Sequence, residues 1–351
     1  MKKLLFSLAV LTLTACGTKT GTTLENTEVD STLYVSNPVW NEDFPDPTIW
    51  TGNDGKFYAT ATGLRTLLTS TDLAHWTKMD YAPITEETRQ LLKSYNPNIW
   101  APDVAIINGQ RLMYVTLHKT KEDSRIVVLK ETEKPGLFEF ANLITWSCDT
   151  GIEDTIDPEP VIAEDGTVWL FFGSVGGIHR VELEKDGLSV KKDAEYIHVA
   201  GKTVKEDPSR KLVYEGSYLY KHDGYWYLFV SGGFYNSHDY HMLVGRSETL
   251  DGEFLDKDGN KMTDGYATTI LSTTEDAFFF GPGHNGEIFE DAEGKTYILY
   301  HCHSKALKPT SERSDYNPRP MLLQEILWDE KTGWPYFQDN TTAEKVLPPT
   351  F

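Results

Sequence analysis

Three acidic residues occupy matched places in a repeated local pattern: Asp46 in DFPDPTI, Asp157 in TIDPEPVI and Glu215 in VYEGSYLY. Each stands nine residues before a turn glycine, namely Gly55, Gly166 and Gly224. The same offset from Gly109 reaches Trp100, and ten residues before Gly294 stands His284. Carboxylates held close together repel, which raises the pKa of at least one of them. A site that bears this cost points to paired acid–base chemistry. Glycoside hydrolysis needs such a set, with an acid to protonate the leaving oxygen and a base to activate water. A third carboxylate can orient and tune the acid, and a tryptophan offers a flat face to a sugar ring. Any one acid near a blade turn is more simply a loop fastener. Three in one register, beside Trp and His, exceed that role.

The elements that must position them are short turns running into apolar strands. Five copies read NDGKFYATAT (53–62), INGQRLMYVT (107–116), EDGTVWLFFG (164–173), HDGYWYLFVS (222–231) and AEGKTYILYH (292–301). Their glycines are 54, 57, 58 and 70 residues apart. A strand-and-turn repeat of this size predicts an all-β fold, a five-bladed β-propeller, in a single domain over 37–351. The innermost strand of each blade lines the axial channel, so equal offsets before the turn place side chains at similar heights. The prolines after Asp46 and Asp157 keep the entering strands extended and remove a ladder donor. Nearly continuous runs such as VWLFF (168–172) suit strands buried on both faces. TEETRQLLKS (85–94) predicts a short helix between blades, and RPMLLQEILWDEKTGWPYF (319–337) completes the fifth blade.

A net charge of −20 provides no basic footprint for phosphates and excludes nucleic acid as a partner. MKKLLFSLAVLTLTAC (1–16) carries two lysines, a short apolar run and a small-residue site ending at Cys16. This ending resembles a bacterial lipoprotein signal, with Cys16 the lipidated residue after cleavage. Residues 17–36 read as a flexible tether. The expected location is the cell envelope, lipid-anchored, on the periplasmic side of the outer membrane. Cys148 and Cys302 could pair or stay as free thiols. In a strand His301 and His303 face one way and Cys302 the other, which argues against a zinc site there. LDKDGNKMTDG (255–265) imitates an EF-hand start, but its glycine and twelfth position are wrong, so a polar turn is expected.

The ordered motifs DFPDPTI, NIWAPDV, IDPEPVI, EGSYLY and GPGHNG resemble glycoside hydrolase family 43 over residues 37–337. The resemblance implies a five-bladed propeller that hydrolyses arabinofuranosyl or xylosyl linkages with inversion. It implies Asp46 as general base, Asp157 as pKa modulator and Glu215 as general acid, with Trp100 lining a sugar subsite. It further implies a metal, often calcium, at the propeller centre near His284. Arg319 in YNPRPMLL stands where the family often places a sugar-contacting arginine, and a fifth-blade salt bridge is the other reading. Two departures blur the subfamily: Gly-Ser follows Glu215, and Glu159 adds an acid after Asp157-Pro158. GPGHNG and the GWPYF ending lean towards arabinan, so an oligo- or polysaccharide of arabinan or arabinoxylan type is the expected substrate. A β-xylosidase-type hydrolase is the alternative within the family. A non-catalytic glycan-binding lipoprotein is the alternative from another class, but a binder has no need of three converging acids.

Overall fold

The computed structural model describes residues 33–95, 98–309 and 316–351. Five four-stranded antiparallel sheets follow one another in chain order. A two-residue strand, β1 (Val35–Ser36), precedes them. Blade 1 contains β2 (Thr48–Thr51), β3 (Phe57–Thr60), β4 (Leu68–Ser70) and β5 (Thr77–Lys78). Helix α1 (Glu86–Tyr95) leads to blade 2, as expected for 85–94. Blade 2 has β6 (Asn98–Ile107), β7 (Gln110–Thr120), β8 (Asp123–Glu131) and β9 (Phe138–Trp146). Blade 3 has β10 (Glu159–Ile162), β11 (Val168–Ser174), β12 (Gly177–Leu183) and β13 (Ile197–Ala200). Blade 4 has β14 (Tyr214–His222), β15 (Tyr225–Gly232), β16 (His241–Ser247) and β17 (Thr268–Leu271). Blade 5 has β18 (Phe279–Glu290), β19 (Thr296–Ser304), β20 (Met321–Trp328) and β21 (Pro335–Tyr336).

The five repeat glycines have φ between 73° and 83° and turn the first strand of each blade into the second. A left-handed backbone at a tight hairpin is where glycine has no competitor. The apolar residues of the strands pack between blades. Trp50 and Tyr58 meet Met113 and Val115 between blades 1 and 2. Tyr114 and Val128 meet Leu170 and Phe172 between blades 2 and 3. Phe171 and Ile178 meet Leu228 and Val230 between blades 3 and 4. Phe229 and Val244 meet Ile298 and Tyr300 between blades 4 and 5. Ile49 and Ala59 meet Leu299 and Leu323 between blades 5 and 1. The last interface closes the ring, so the architecture is the expected five-bladed propeller.

The chain's start also seals the ring. Val35 and Ser36 pair with Val346 and Lys345 of β22 (Lys345–Val346). Asn37 Nδ2 donates to Leu323 O and Ala343 O at 2.8 and 2.9 Å, and its Oδ1 accepts from Leu323 N at 3.0 Å. The boundary expected at 36/37 therefore moves: Val35 and Ser36 belong to the ordered ring, not to a tether. Cys16 and the leader lie outside the described residues.

The EF-hand imitation is a polar turn, as expected. Asp256 Oδ1 accepts from the N–H groups of Asp258 and Asn260 at 2.9 and 2.8 Å. Cys148 is exposed, Cys302 is buried, and both are free thiols.

Candidate active site

Each blade carries, within or just before its innermost strand, a residue in the left-handed region: Asp46 (φ 54°), Ala101 (20°), Asp157 (56°), Gly216 (59°) and His284 (44°). Four of the five are not glycine, and such a backbone is costly outside glycine. Strand register shifts accompany the break at Ala101, Gly216 and His284. The break tips Asp46, Asp157, Glu215 and His284 together. Asp46 and Asp157 stand just before β2 and β10, whereas Glu215 is the second residue of β14.

Asp46 is the most heavily supported of the acids. Its Oδ1 accepts from Arg319 Nη1 at 3.0 Å and its Oδ2 from Thr62 Oγ1 at 2.5 Å. His284 Nδ1 lies 3.4 Å from Oδ1. The Asp46 N–H donates to His301 Nδ1 at 3.0 Å, which fixes that nitrogen as an acceptor. Burial pushes the Asp46 carboxyl up, but the charge of Arg319, then His284 and the Thr62 hydroxyl, outweigh it and hold the group below the usual range.

Glu215 is surrounded differently. Its Oε1 accepts from Tyr240 Oη at 2.9 Å and its Oε2 from Ser174 Oγ at 3.0 Å. Among the described residues no basic side chain forms an ion pair with it. Burial raises its pKa, and the lowering effects of His284, Tyr240 and Ser174 do not offset this. Asp157 is buried beside it and accepts from Gly216 N at 3.2 Å through Oδ2. Burial, then the charges of Glu215 and Asp46, push Asp157 well above the carboxylate range. One carboxyl is therefore held below the usual range, while the other two are pushed above it. That is the asymmetry a general base and a general acid require.

The other expected residues fall as follows. Trp100 is half-buried and stacks on His118 at 3.9 Å between ring centres. The Ala101 N–H donates to Thr62 Oγ1 at 2.9 Å, the hydroxyl that serves Asp46. Arg319 makes neither a purely fifth-blade salt bridge nor an open contact surface. It crosses to blade 1, its side chain is 8% exposed, and its pKa is raised despite burial by the Asp46 charge. Asp43 Oδ1 accepts from Arg319 N and Tyr316 Oη, both at 2.9 Å, and so holds the arginine's backbone.

Beneath the catalytic layer lies a second ring of acids: Asp103, Glu159 and Glu287. Glu159 does not reach solvent; it is 4% exposed and its Oε1 accepts from Leu219 N at 3.1 Å. The Glu159 and Asp103 carboxyls are in hydrogen-bonding contact, which requires a proton between them. Thr48 Oγ1 lies 3.0 Å from both Asp103 Oδ1 and Glu287 Oε1, and Ile49 N donates to Glu287. Burial, then the Asp103 charge, raises Glu159 and Glu287 well above the usual range.

Between the two layers lies a cavity of about 10 Å³, lined by Asp157, His284, Asn285, Ser217, Asp103 and Glu159. Asn285 Oδ1 and Ser217 Oγ are buried there without a hydrogen-bond partner among the described residues. The volume is that of one water or one small cation. Among the described residues no group of three or more His, Cys, Asp and Glu side chains forms a metal cage. The set thus offers a cation His284 and the orphan Asn285 oxygen, rather than a protein-only cage.

A five-bladed propeller with a split set of carboxyls at one mouth of its axis defines a glycosidase-type site. The chain belongs to glycosyl hydrolases family 43, whose model matches residues 35–335. It is similar to the extracellular exo-α-(1→5)-L-arabinofuranosidase ArbA of Cellvibrio japonicus, 27% identical over 316 residues, 84% of this chain and 86% of that protein. The extracellular endo-α-(1→5)-L-arabinanase 1 of Bacillus subtilis is 27% identical over 312 residues, 85% of this chain and 88% of that one. The crystal structure of an exo-1,5-α-L-arabinanase from a bovine ruminal metagenomic library superposes with a TM-score of 0.66 at 26% identity. That match covers 84% of this chain and 97% of the other.

Proposed function

We propose that this protein is an inverting glycosidase that cleaves α-L-arabinofuranosyl linkages in arabinan. The observation that carries the role assignment is the uneven support of two carboxyls: a guanidinium 3.0 Å from Asp46 and, among the described residues, only hydroxyl donors on Glu215. Asp46, held ionised, takes the proton of a water that attacks the anomeric carbon. Glu215, its pKa raised by burial, gives its proton to the departing glycosidic oxygen. Water enters on the face opposite the leaving group, so the configuration inverts. Asp157 supports the acid by accepting from the Gly216 N–H, which holds the backbone next to Glu215. A calcium ion held at His284 would add positive charge beneath the carboxyls. The similarity to proteins named as arabinan-cleaving enzymes supports the substrate class. The lipoprotein-type leader ending at Cys16, together with relatives named as extracellular, supports an envelope location with a lipid anchor.

The test is turnover of debranched arabinan, an aryl arabinofuranoside and an aryl xyloside by wild type, Asp46→Asn and Glu215→Gln. Arabinosyl substrates should be cleaved and the xyloside left largely intact. Each variant should lose about 10²–10⁴-fold on arabinan, the contribution of a positioned acid or base. With a reactive aryl leaving group, which needs little protonation, Glu215→Gln should lose less than Asp46→Asn. Full activity in both variants would overturn the roles.

A further inference from the structure

The loops that join the second and third strands of each blade rise on the catalytic face, because the innermost strands begin there. In blades 2 and 3 they are tight, at 121–122 and 175–176. In blade 4 the loop runs through 233–240 and carries two adjacent exposed aromatic residues, Phe234 (53% exposed) and Tyr235 (37%). Their rings lie 4.8 Å apart. Large apolar side chains side by side in water mark a binding surface more often than a scattered single residue does. The pair is also joined to the reaction centre. The Arg319 guanidinium that donates to Asp46 lies 4.9 Å from the centre of the Tyr235 ring. Tyr235 therefore roofs the buried arginine, one residue removed from the general base. The loop is held in place: His303 Nε2 lies 2.9 Å from Tyr235 O, and Asn236 Oδ1 accepts from Asn317 N at 3.1 Å. A platform already ordered loses little entropy when a ligand settles on it.

We propose that Phe234 and Tyr235 form a sugar-stacking subsite that binds a further arabinofuranosyl unit of the chain, beyond the sugar whose bond is cleaved. The occupant follows from position. A chain whose scissile bond lies over Asp46 and Glu215 must leave the pocket somewhere. Trp100 offers a ring on the blade 2 side, and this pair offers the next apolar faces on the blade 4 side. Furanose C–H groups pack on an aromatic face as any apolar surface does, while the hydroxyls at the ring edge stay in water. The subsite thus favours chains over single sugars.

This inference rests on reading the pocket as the place of arabinosyl cleavage, and the experiment separates the two. The readout is the ratio of kcat/KM on a linear α-(1→5)-linked arabino-oligosaccharide to kcat/KM on an aryl arabinofuranoside. Phe234→Ala should lower that ratio about tenfold, the effect of losing part of one aromatic contact. Phe234→Trp should retain it. Tyr266→Ala, which removes an exposed aromatic residue (53%) from the segment between β16 and β17, serves as the control. An unchanged ratio in Phe234→Ala and in the Phe234→Ala/Tyr235→Ala double variant overturns the subsite. Calorimetric binding of the oligosaccharide to Glu215→Gln gives a second arm without turnover. Weaker binding once Phe234→Ala is added supports the subsite even if wild type hydrolyses neither substrate, a result that would overturn only the proposed reaction. Equal binding with and without Phe234 overturns the subsite.

Discussion

The guanidinium of Arg319, from blade 5, reaches blade 1 and donates to Asp46 Oδ1 at 3.0 Å. The two residues are 273 apart in sequence, so the catalytic charge balance depends on the ring being closed. Removing the cation should raise the pKa of Asp46, since burial then acts with less opposition. With Asp46 as the proposed base, its proton uptake sets the acid-side fall of kcat/KM. In Arg319→Gln that limb should therefore move to higher pH, with a loss of about tenfold or more at the optimum from the missing charged hydrogen bond. An acid limb that stays in place in a folded variant would show that Asp46 is not the group titrating there.

Tyr240 acts on the other limb. Its hydroxyl donates to Glu215 at 2.9 Å, and a donor favours the carboxylate over the acid. Tyr240→Phe should raise the pKa of Glu215 further, so activity should persist to higher pH on the alkaline side while the acid limb stays put. A pH–rate profile of kcat/KM for this variant, alongside Arg319→Gln, tests whether base and acid occupy separate limbs.

The cation proposal has its own measurement. If His284 and Asn285 hold a divalent ion, elemental analysis of the purified protein should find it bound, and His284→Ala should lose it. A chelator should then lower the Tm of wild type and leave that of His284→Ala unchanged, because a ligand that binds only the folded state stabilises it. A chelator response of equal size in both proteins would place any cation elsewhere.

Much of this site was readable from the turn glycines, because in a propeller the channel height is set by distance from the turn. Counting back nine residues finds Asp46, Asp157 and Glu215. Counting forward seven finds Thr62, Thr116, Ser231 and His301, and eight finds Ser174. These are the residues on the returning strand that contact Asp46, Asp157, His284 and Glu215. Hydroxyls in apolar strands look unremarkable in a sequence until the hairpin pairs them with the acids, and the count alone assigns them no role. Arg319 and Tyr240 differ. They sit at the ends of loops of unequal length, so no fixed offset finds them, and only tertiary placement shows that they face the acids.

The same count extends to the second ring. Seven residues before the turn glycines stand Thr48, Glu159, Ser217 and Glu287, with Asp103 at six. Two residues along a strand return to the same face, so an acidic layer below the first is a consequence of the pleat. The cost of that layer is testable through Glu159. Its carboxyl is raised well above the ordinary value of 4.5, by burial and then by Asp103. For an acid with a raised folded pKa, the associated stability is fully present below the unfolded pKa and is lost as pH rises through the folded one. Glu159 should therefore weaken the fold progressively from acidic towards neutral and alkaline pH. Glu159→Gln removes this titration and keeps the contacts, since the amide oxygen can accept from Leu219 N and the amide nitrogen can donate to Asp103. The difference in Tm, variant minus wild type, should grow between about pH 5 and about pH 8 in favour of the variant. A constant difference across that range would mean that Glu159 titrates alike in both states, and that the second ring carries no buried proton.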